Sequence, residues 1–388
     1  MTEKRKKNKK SSGFLQVAAP SLIAVLIGLV VGIIVIAGSK PDQAIQAITR
    51  FFMGPFNRGL TGFGDLFYHM TPLLMTGLSV GFAYQTGLFN IGASGQFLVG
   101  GFIAILVSAK LRDVVPPELL WVLAFILGGL SGAILASVVG ILKAYRNVNE
   151  VITCIMLNYS AMYVVNYLIK SLGIYNQMKN NTISISTAIP KMGLDILFPG
   201  TIAGGGIILA IIAVTTIYII LKKTTFGYEL KGVGLNRHAA RYAGVNENKS
   251  IVLSMAIAGA LAGFGGAMLY LSGAGNHLTV HEVIPAEGFD GIAIALLGLN
   301  EPIGIFLSTA LIAYLKMGGQ AIQTLGYAPE LITMIISFIL YISALSVLFR
   351  RLLTRKIKSE GENINSEPIL DVGPKIDNTD SDVEGGQK

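Results

Sequence analysis

Ten apolar runs, most of them about 20 residues long, are the feature of this sequence that most constrains its fold. They lie near residues 14–38, 67–87, 96–110, 117–142, 150–171, 200–221, 251–273, 289–299, 302–317 and 330–349. A helix needs roughly 20 apolar residues to cross the hydrocarbon core of a bilayer. Only 13% of the 388 residues are charged, against about 25% in a soluble domain. The sequence therefore predicts an all-α polytopic membrane protein of about ten transmembrane helices.

Clusters of Lys and Arg set the predicted orientation of these spans. They lie in residues 1–13, at Lys143 and Arg146, in the loop 222–250, and just after the last run. Because positive residues stay on the cytoplasmic side, both termini and the loop 222–250 are expected in the cytoplasm. The run at 14–38 is longer than the apolar core of a signal peptide, roughly 7 to 15 residues, so it is interpreted as a retained first span.

Two of the runs, 96–110 and 289–299, are too short to cross a bilayer alone. Each belongs to one of two groups of four spans that start from opposite sides of the membrane. This arrangement predicts an inverted repeat with a substrate path at its interface. The predicted domains are a basic cytoplasmic N-terminus (1–13), a transmembrane domain (14–350) and a cytoplasmic tail (351–388). From residue 359 the tail is acidic and expected to be disordered.

The loop 222–250 has the features of a docking element for a cytoplasmic partner. It carries six Lys or Arg residues and two acids. Asn236 is of the type that caps a helix N-terminus, and Gly244 suits a helix end. A short helix is therefore expected between these two residues.

Polar residues beside short apolar runs are the first candidates for a substrate path. Segment 86–101 places Asn90, Ser94 and Gln96 among glycines. Irregular backbone at membrane depth is tolerated only where it is buried in protein or lines a cavity. Asp290 lies at the start of the second short run, where it either contacts a substrate hydroxyl or caps a helix.

The fifth span supplies a second set of path candidates. Tyr159, Tyr163 and Asn166 fall on one helix face, with Asn158 at its edge. An Asn amide can pair with a purine edge, and Tyr can stack on a base. Hydrogen bonding between helices, with tyrosines at the membrane interface, explains the same pattern equally well.

Two further patterns are interpreted as structural. Gly128 with Gly132, and Gly259 with Gly263, are spaced for close approach of helices. Asn147 and Glu150 are spaced like a capping box at the start of the fifth span.

Motifs for chemistry on the chain itself are missing. No phosphate-binding loop of the form GxxxxGK[ST] occurs, so the chain is expected to be a transport subunit and not an enzyme, with no bound cofactor. His277 and His281 are four residues apart but lack further convincing ligands, so no metal site is predicted. The net charge of +8 gathers at the ends of the apolar runs, which topology explains better than a nucleic-acid partner does.

Four segments stand out in combination: GLFNIGASGQFLVGGF, NVNEVITCIMLNYSAMYVVNYLI, GYELKGVGLNRHAARYAG and GFDGIAIALLGLNEPIG. They resemble the hallmark blocks of bacterial ABC-transporter permeases for nucleosides, within the larger family of ribose and branched-chain amino-acid permeases. The resemblance covers about residues 14 to 350. It implies an ATP-driven importer of the cell membrane in which this chain forms the path by alternating access.

The resemblance also implies partners. These are two cytoplasmic ATPase subunits that use the ATP, a second and often non-identical permease, an extracellular substrate-binding lipoprotein, and a nucleoside, all within membrane lipid. It implies that the short helix of the loop 222–250 enters a groove of the ATPase. The implied contact residues are Gly234, Leu235, Asn236, Arg237, His238, Ala239, Ala240, Arg241, Tyr242 and Gly244.

Two alternatives stay open at this point. A permease for ribose or another simple sugar is the alternative within the family. An ion-coupled secondary transporter is the alternative of another class, but it would place ionisable residues at mid-membrane, where these spans have almost none. A membrane scaffold is disfavoured, because it gains nothing from polar, glycine-rich interruptions.

Overall fold

The computed structural model describes residues 23, 25–339, 341 and 342. The predicted segments 1–13 and 351–388 lie outside this part of the chain. The helices are α1 Val25–Ser39, α2 Ala44–Met53, α3 Leu60–Tyr84, α4 Ala93–Lys110, α5 Pro117–Arg146, α6 Glu150–Ser171, α7 Leu194–Leu197, α8 Gly206–Lys223, α9 Thr225–Leu235, α10 Arg237–Tyr242, α11 Glu247–Tyr270, α12 Glu287–Leu297, α13 Pro302–Gln323 and α14 Pro329–Ile339. Strands β1 Tyr175–Asn176 and β2 Asn181–Thr182 pair antiparallel.

The helices confirm an all-α polytopic membrane fold. Among the described residues, six helices are long and apolar enough to cross a membrane, namely α4, α5, α6, α8, α11 and α13. A bent pair formed by α1 and the segment Pro41–Met53 would make a seventh. The total of ten spans and the location of the termini stay predictions.

The two short apolar runs differ in the structure. Helix α4 begins at Ala93, ahead of the run 96–110, and its 18 residues make it long enough to cross. The prediction that this run is too short is therefore wrong, because the polar residues before it join the same helix. Helix α12 has 11 residues and is as short as predicted.

Helix α3 is the central helix of the bundle. It packs against α4, α8, α11, α12 and α13, and most of its 25 residues are buried. Its polar side chains Asp65, Thr76 and Ser79 are among the buried ones. They are tolerated because a helix surrounded by protein presents no continuous face to lipid.

Glycines bring α5 and α11 into backbone contact. A Cβ atom on Gly132 would overlap the carbonyl oxygen of Gly259, and one on Gly263 would lie 2.6 Å from the carbonyl oxygen of Gly128. Neither position can hold a larger residue without moving the helices apart. The prediction that these glycines serve close helix packing is confirmed.

The packing partners of the helices follow the pattern of two interlocked repeats. Helix α11, which starts the second group of spans, packs against α4 and α5 of the first group. Helix α3, which starts the first group, packs against α12 and α13 of the second. The second residues of α4 and α12, Ser94 and Gly288, touch: a Cβ on Gly288 would overlap the backbone nitrogen and Oγ of Ser94. Two helix N-termini therefore meet inside the bundle, as expected for the predicted repeat.

The N-cap of α6 is Asn149, so the predicted capping box at Asn147 and Glu150 is wrong. The side-chain oxygen of Asn149 accepts from two backbone N–H groups of the first turn, at 2.9 and 3.4 Å. Asn147 instead ends α5 with φ of 51°, a left-handed conformation that Asn tolerates better than most residues. The Glu150 carboxylate forms an ion pair with Lys143 at 2.8 Å.

Candidate functional site

The basic loop folds into α9 and α10, which meet at Asn236. The Asn236 side-chain oxygen accepts from the backbone nitrogen of Ala239 at 3.0 Å, which makes Asn236 the N-cap of α10. Gly244 follows α10 with φ of 85°, a conformation that favours glycine. The short helix expected between these two residues is confirmed.

Arg237 ties α10 to the rest of the protein. Its Nε donates to Glu247 at 2.6 Å, and one terminal nitrogen donates to the side chain of Asn248 at 3.2 Å and to the carbonyl of Ala144 at 3.4 Å. These groups lie at the start of α11 and near the end of α5. The guanidinium therefore holds the loop in place and is not directed outward.

Most of the remaining contact residues implied by the family resemblance are on the surface. Ala240 is buried, and the exposed residues are Gly234, Leu235, Asn236, His238, Ala239, Arg241, Tyr242 and Gly244. Leu235 and Tyr242 are the most exposed, at 89% and 95%, and Tyr228 on α9 is 80% exposed. Tyr228 is absent from the predicted set, although an aromatic residue in a basic loop would have been a usable signal.

The end of α9 lies directly against the turn that precedes α4. A Cβ on Gly234 would overlap the carbonyl oxygen of Gln85 and lie 3.0 Å from the nitrogen of Gly87. The same turn is joined to α11 by a 2.6 Å hydrogen bond from the Thr86 hydroxyl to that of Ser254. The loop thus has a backbone contact with the segment that leads to the candidate path.

The structure brings Asn90, Gln96 and Ser94 together at the start of α4. The Asn90 amide donates to Gln96 at 2.8 Å and to Ser79 at 3.0 Å, and the Gln96 amide donates back to Asn90 at 2.9 Å. All four side chains are buried. Within the described residues the Ser94 hydroxyl has no hydrogen-bond partner.

Asn158 joins this cluster from α6, whereas Tyr159 does not. The side-chain oxygen of Asn158 accepts from the backbone nitrogen of Gly95 at 3.0 Å, and its side-chain nitrogen donates to the backbone carbonyl of Ile91 at 3.1 Å. Tyr159 and Tyr163 point away from the bundle and are 50% and 54% exposed. Asn158 therefore faces the protein interior, whereas the two tyrosines face outward. The spacing of residues along one helix does not distinguish these two environments.

Asn166 lies in a second polar region, one formed with the loop before α12. Its amide donates to the carbonyl of His281 at 2.9 Å. A cavity of about 290 Å³ opens here between α4, α6, the end of α11 and this loop, and His277 and Glu287 are among its lining residues. Over the described part of the chain, no three His, Cys, Asp or Glu residues gather as a metal site.

Asp290 pairs with Lys316 across α12 and α13. The Nζ to Oδ2 distance is 2.6 Å, and both side chains are less than one-third exposed. No side chain caps α12, so the cap role considered for Asp290 is wrong, because its carboxylate is held by the lysine. Lys316 was missed, although a lysine at the end of an apolar run is a visible signal.

Comparison with known proteins also indicates a permease. Residues 62–345 match the family described as branched-chain amino acid transport system, permease component. The guanosine ABC transporter permease protein NupP of Bacillus subtilis (strain 168) is 35% identical over 346 residues, which is 88% of this chain and 97% of NupP. No solved structure matches the chain.

Two proteins of Lactococcus lactis subsp. cremoris (strain MG1363) are also similar. The nucleoside ABC transporter permease protein NupB is 34% identical over 86% of this chain and 92% of NupB. The nucleoside ABC transporter permease protein NupC is 26% identical over 66% of this chain and 82% of NupC. From the family match over residues 62–345, the chain belongs to the permease components of the branched-chain amino acid transport system family and is a multi-pass membrane protein.

Proposed function

We propose that this chain is the permease subunit of an ATP-driven importer of nucleosides in the cell membrane. The observation that carries the proposal is the backbone contact of Gly234, in the cytoplasmic loop, with Gln85 and Gly87, which lead to the buried Asn90 cluster. The similarity to NupP and NupB, over nearly their whole lengths, supports nucleosides as the substrate class.

The contact of Gly234 with the turn at residues 85–87 suggests how a movement of the cytoplasmic loop is transmitted to the substrate path. Two glycines meet backbone to backbone, so no flexible side chain absorbs a displacement of α9. The Thr86 to Ser254 hydrogen bond extends the same linkage to α11, which packs on α3, α4 and α5. A partner that shifts α9 and α10 would therefore displace the turn at residues 85–87, which leads to the Asn90 cluster, together with α11. Such rigid-body shifts around a central site are the basis of alternating access.

A separate ATPase supplies the energy in this proposal. The chain has no phosphate-binding loop, so it binds no ATP itself and needs no cofactor of its own. A ligand can shift a conformational equilibrium only through its different affinities for the two states. The ATPase would provide that difference by closing on ATP while holding α10.

The exposed side of α9 and α10 offers the surface for that ATPase. We name Tyr228, Leu235, Arg241 and Tyr242 the coupling surface. Three of these are aromatic or aliphatic and at least 80% exposed, and the Arg241 side chain is 74% exposed. Tyr and Arg are enriched among the residues that dominate binding energy at interfaces. Arg237 positions this surface and need not contact the partner.

A second, non-identical permease is the proposed neighbour in the membrane. NupB and NupC are two permeases of one Lactococcus strain, and both are similar to this chain. The outward face of α6, with Tyr159, Tyr163 and Tyr167 at least half exposed, is a candidate for the contact. An extracellular substrate-binding lipoprotein would deliver the nucleoside from the other side.

Competition of labelled-nucleoside uptake tests the substrate class. Cells that express the chain with its partners should take up labelled guanosine, and excess purine or pyrimidine nucleosides should compete while ribose and glucose should not. Competition by ribose or glucose alone would assign the chain to the sugar permeases. Recovery of the purified chain without any ATPase would favour the ion-coupled alternative.

A further inference from the structure

Glu287 is an unpaired carboxylate in the wall of the cavity at the start of α12. It lines the 290 Å³ space and is only partly exposed. None of the ion pairs within the described residues includes it. Burying a carboxylate costs free energy unless it is paired or hydrogen-bonded, so an unpaired one in a cavity wall is a candidate for ligand binding.

The position of Glu287 explains how its charge is tolerated without a Lys or Arg partner. Glu287 is the first residue of α12, and the next residue, Gly288, touches Ser94, the second residue of α4. The N-termini of two helices therefore meet beside this carboxylate. Each N-terminus carries a partial positive charge that stabilises a nearby anion. The carboxylate is free to accept hydrogen bonds from a ligand in the cavity.

The rest of the cavity has the surfaces that a flat heterocycle requires. Leu98, Met162 and Leu278 form apolar walls, and Tyr270 adds an aromatic ring. His277 also lines the space, and its Nδ1 is buried without a hydrogen-bond partner among the described residues. Small-molecule sites are mostly apolar with a few placed polar groups, and their volumes start at roughly 300 Å³. The cavity matches a ligand no larger than about one nucleoside.

We propose that this cavity binds the base of a nucleoside and that Glu287 selects guanine. This inference rests on the proposed function. A carboxylate offers two acceptor oxygens and no donor. Guanine presents two neighbouring donors, N1–H and the N2 amino group, so both oxygens are matched. Adenine presents one donor, N6–H, beside the acceptor N1, and this acceptor would face a carboxylate oxygen.

Replacing Glu287 by Gln should remove the preference. The Gln amide offers one acceptor and one donor, so it pairs with N6–H and N1 of adenine as well as with N1–H and O6 of guanine. We expect the unaltered chain to bind guanosine roughly tenfold or more tightly than adenosine, and E287Q to gain affinity for adenosine until the two bind about equally. Inosine, which keeps N1–H but lacks the amino group, should fall between the two for the unaltered chain.

Equilibrium binding of labelled guanosine and adenosine tests this preference. The full chain would be assembled with its partner permease and ATPase in nanodiscs, without the lipoprotein, so that only the membrane subunits contribute specificity. Glu282→Gln is the matched control, because Glu282 is exposed in the loop just before α12 and E282Q should keep the original preference. Misfolding cannot imitate the expected result, because E287Q must gain affinity for adenosine.

Three outcomes distinguish failure of the Glu287 site from failure of the proposed function. ATP-driven nucleoside uptake by the unaltered chain, together with an unchanged guanosine-to-adenosine ratio in E287Q, overturns the site alone. Equal binding of the two nucleosides by the unaltered chain overturns it as well. A complete lack of nucleoside uptake overturns the proposed function, and the site then falls with it.

Discussion

The side-chain amides of Asn90 and Gln96 form two reciprocal hydrogen bonds, with donor to acceptor distances of 2.8 and 2.9 Å. Both side chains are buried, at 0% and 1% exposure. The pair fastens the irregular turn before α4 to the first turns of that helix. Any movement of the turn relative to α4 must break both hydrogen bonds. The pair is therefore a structural part of the proposed path.

Removing one member of this pair should destabilise the protein by roughly 1 to 3 kcal/mol, because the remaining amide is left buried and unsatisfied. In the N90A/Q96A double variant the loss should be smaller than the sum of the two single losses by about 0.5 kcal/mol or more. Thermal unfolding in detergent measures these differences. Q323A, an exposed residue at the end of α13, is the control. Strictly additive losses would show that the pair does not act as a unit.

Arg237 and Arg241 should behave differently despite their shared charge. R237A removes the hydrogen bonds to Glu247, Asn248 and Ala144, so amide hydrogen exchange should rise across residues 236–248. R241A removes a mostly exposed side chain whose contact with Glu247 is long, at 3.9 Å, and should leave exchange unchanged while weakening copurification of the ATPase. Equal exchange in the two variants would contradict the positioning role of Arg237.

Gly132→Ala should disrupt the crossing of α5 and α11. The added Cβ would overlap the Gly259 carbonyl, and overpacking of this kind costs typically 1 to 3 kcal/mol. Gly38→Ala is the matched control, because a Cβ there meets nothing within 4 Å and alanine is the better helix former. Melting temperatures in nanodiscs compare the two. A G132A protein as stable as G38A would refute the backbone contact.

Breaking the Asp290 to Lys316 ion pair should reduce transport, because removing either partner leaves the other as a partly buried charge without its counter-ion. K316M and D290N should each lower uptake several-fold. The exchanged pair D290K/K316D should recover part of the lost activity, since the 2.6 Å contact depends on opposite charges. No recovery in the exchanged pair, with normal membrane insertion, would indicate that Asp290 has a role outside this ion pair.

Local patterns predicted part of this structure well. The apolar runs gave the all-α membrane fold, and the cap at Asn236 with the stop at Gly244 gave α10, because capping depends on neighbours only a few residues away. The sequence predicts the cap of α6 at Asn147 instead of Asn149, because Asn is a good capping residue and both lie within three residues of the helix start. Only the left-handed conformation of Asn147 separates them.

The arrangement of the candidate site depends on contacts that sequence spacing does not encode. Asn158 and Tyr159 are neighbours in the chain, yet the first is 2% and the second 50% exposed. Which side of α6 faces protein is decided by α4, a separate helix. The contact of Ser94 with Gly288 likewise joins two segments nearly 200 residues apart. Contacts of this kind can be identified only from the three-dimensional structure.

Uptake into proteoliposomes distinguishes an ATP-driven nucleoside importer from the alternatives. The chain would be reconstituted with a partner permease, the ATPase and the substrate-binding lipoprotein, and labelled guanosine would be supplied on the lipoprotein side. We expect uptake that requires hydrolysable ATP on the ATPase side and that excess unlabelled nucleoside suppresses. Uptake that continues without ATP under an ion gradient, or that glucose suppresses while nucleosides do not, would overturn the proposed function.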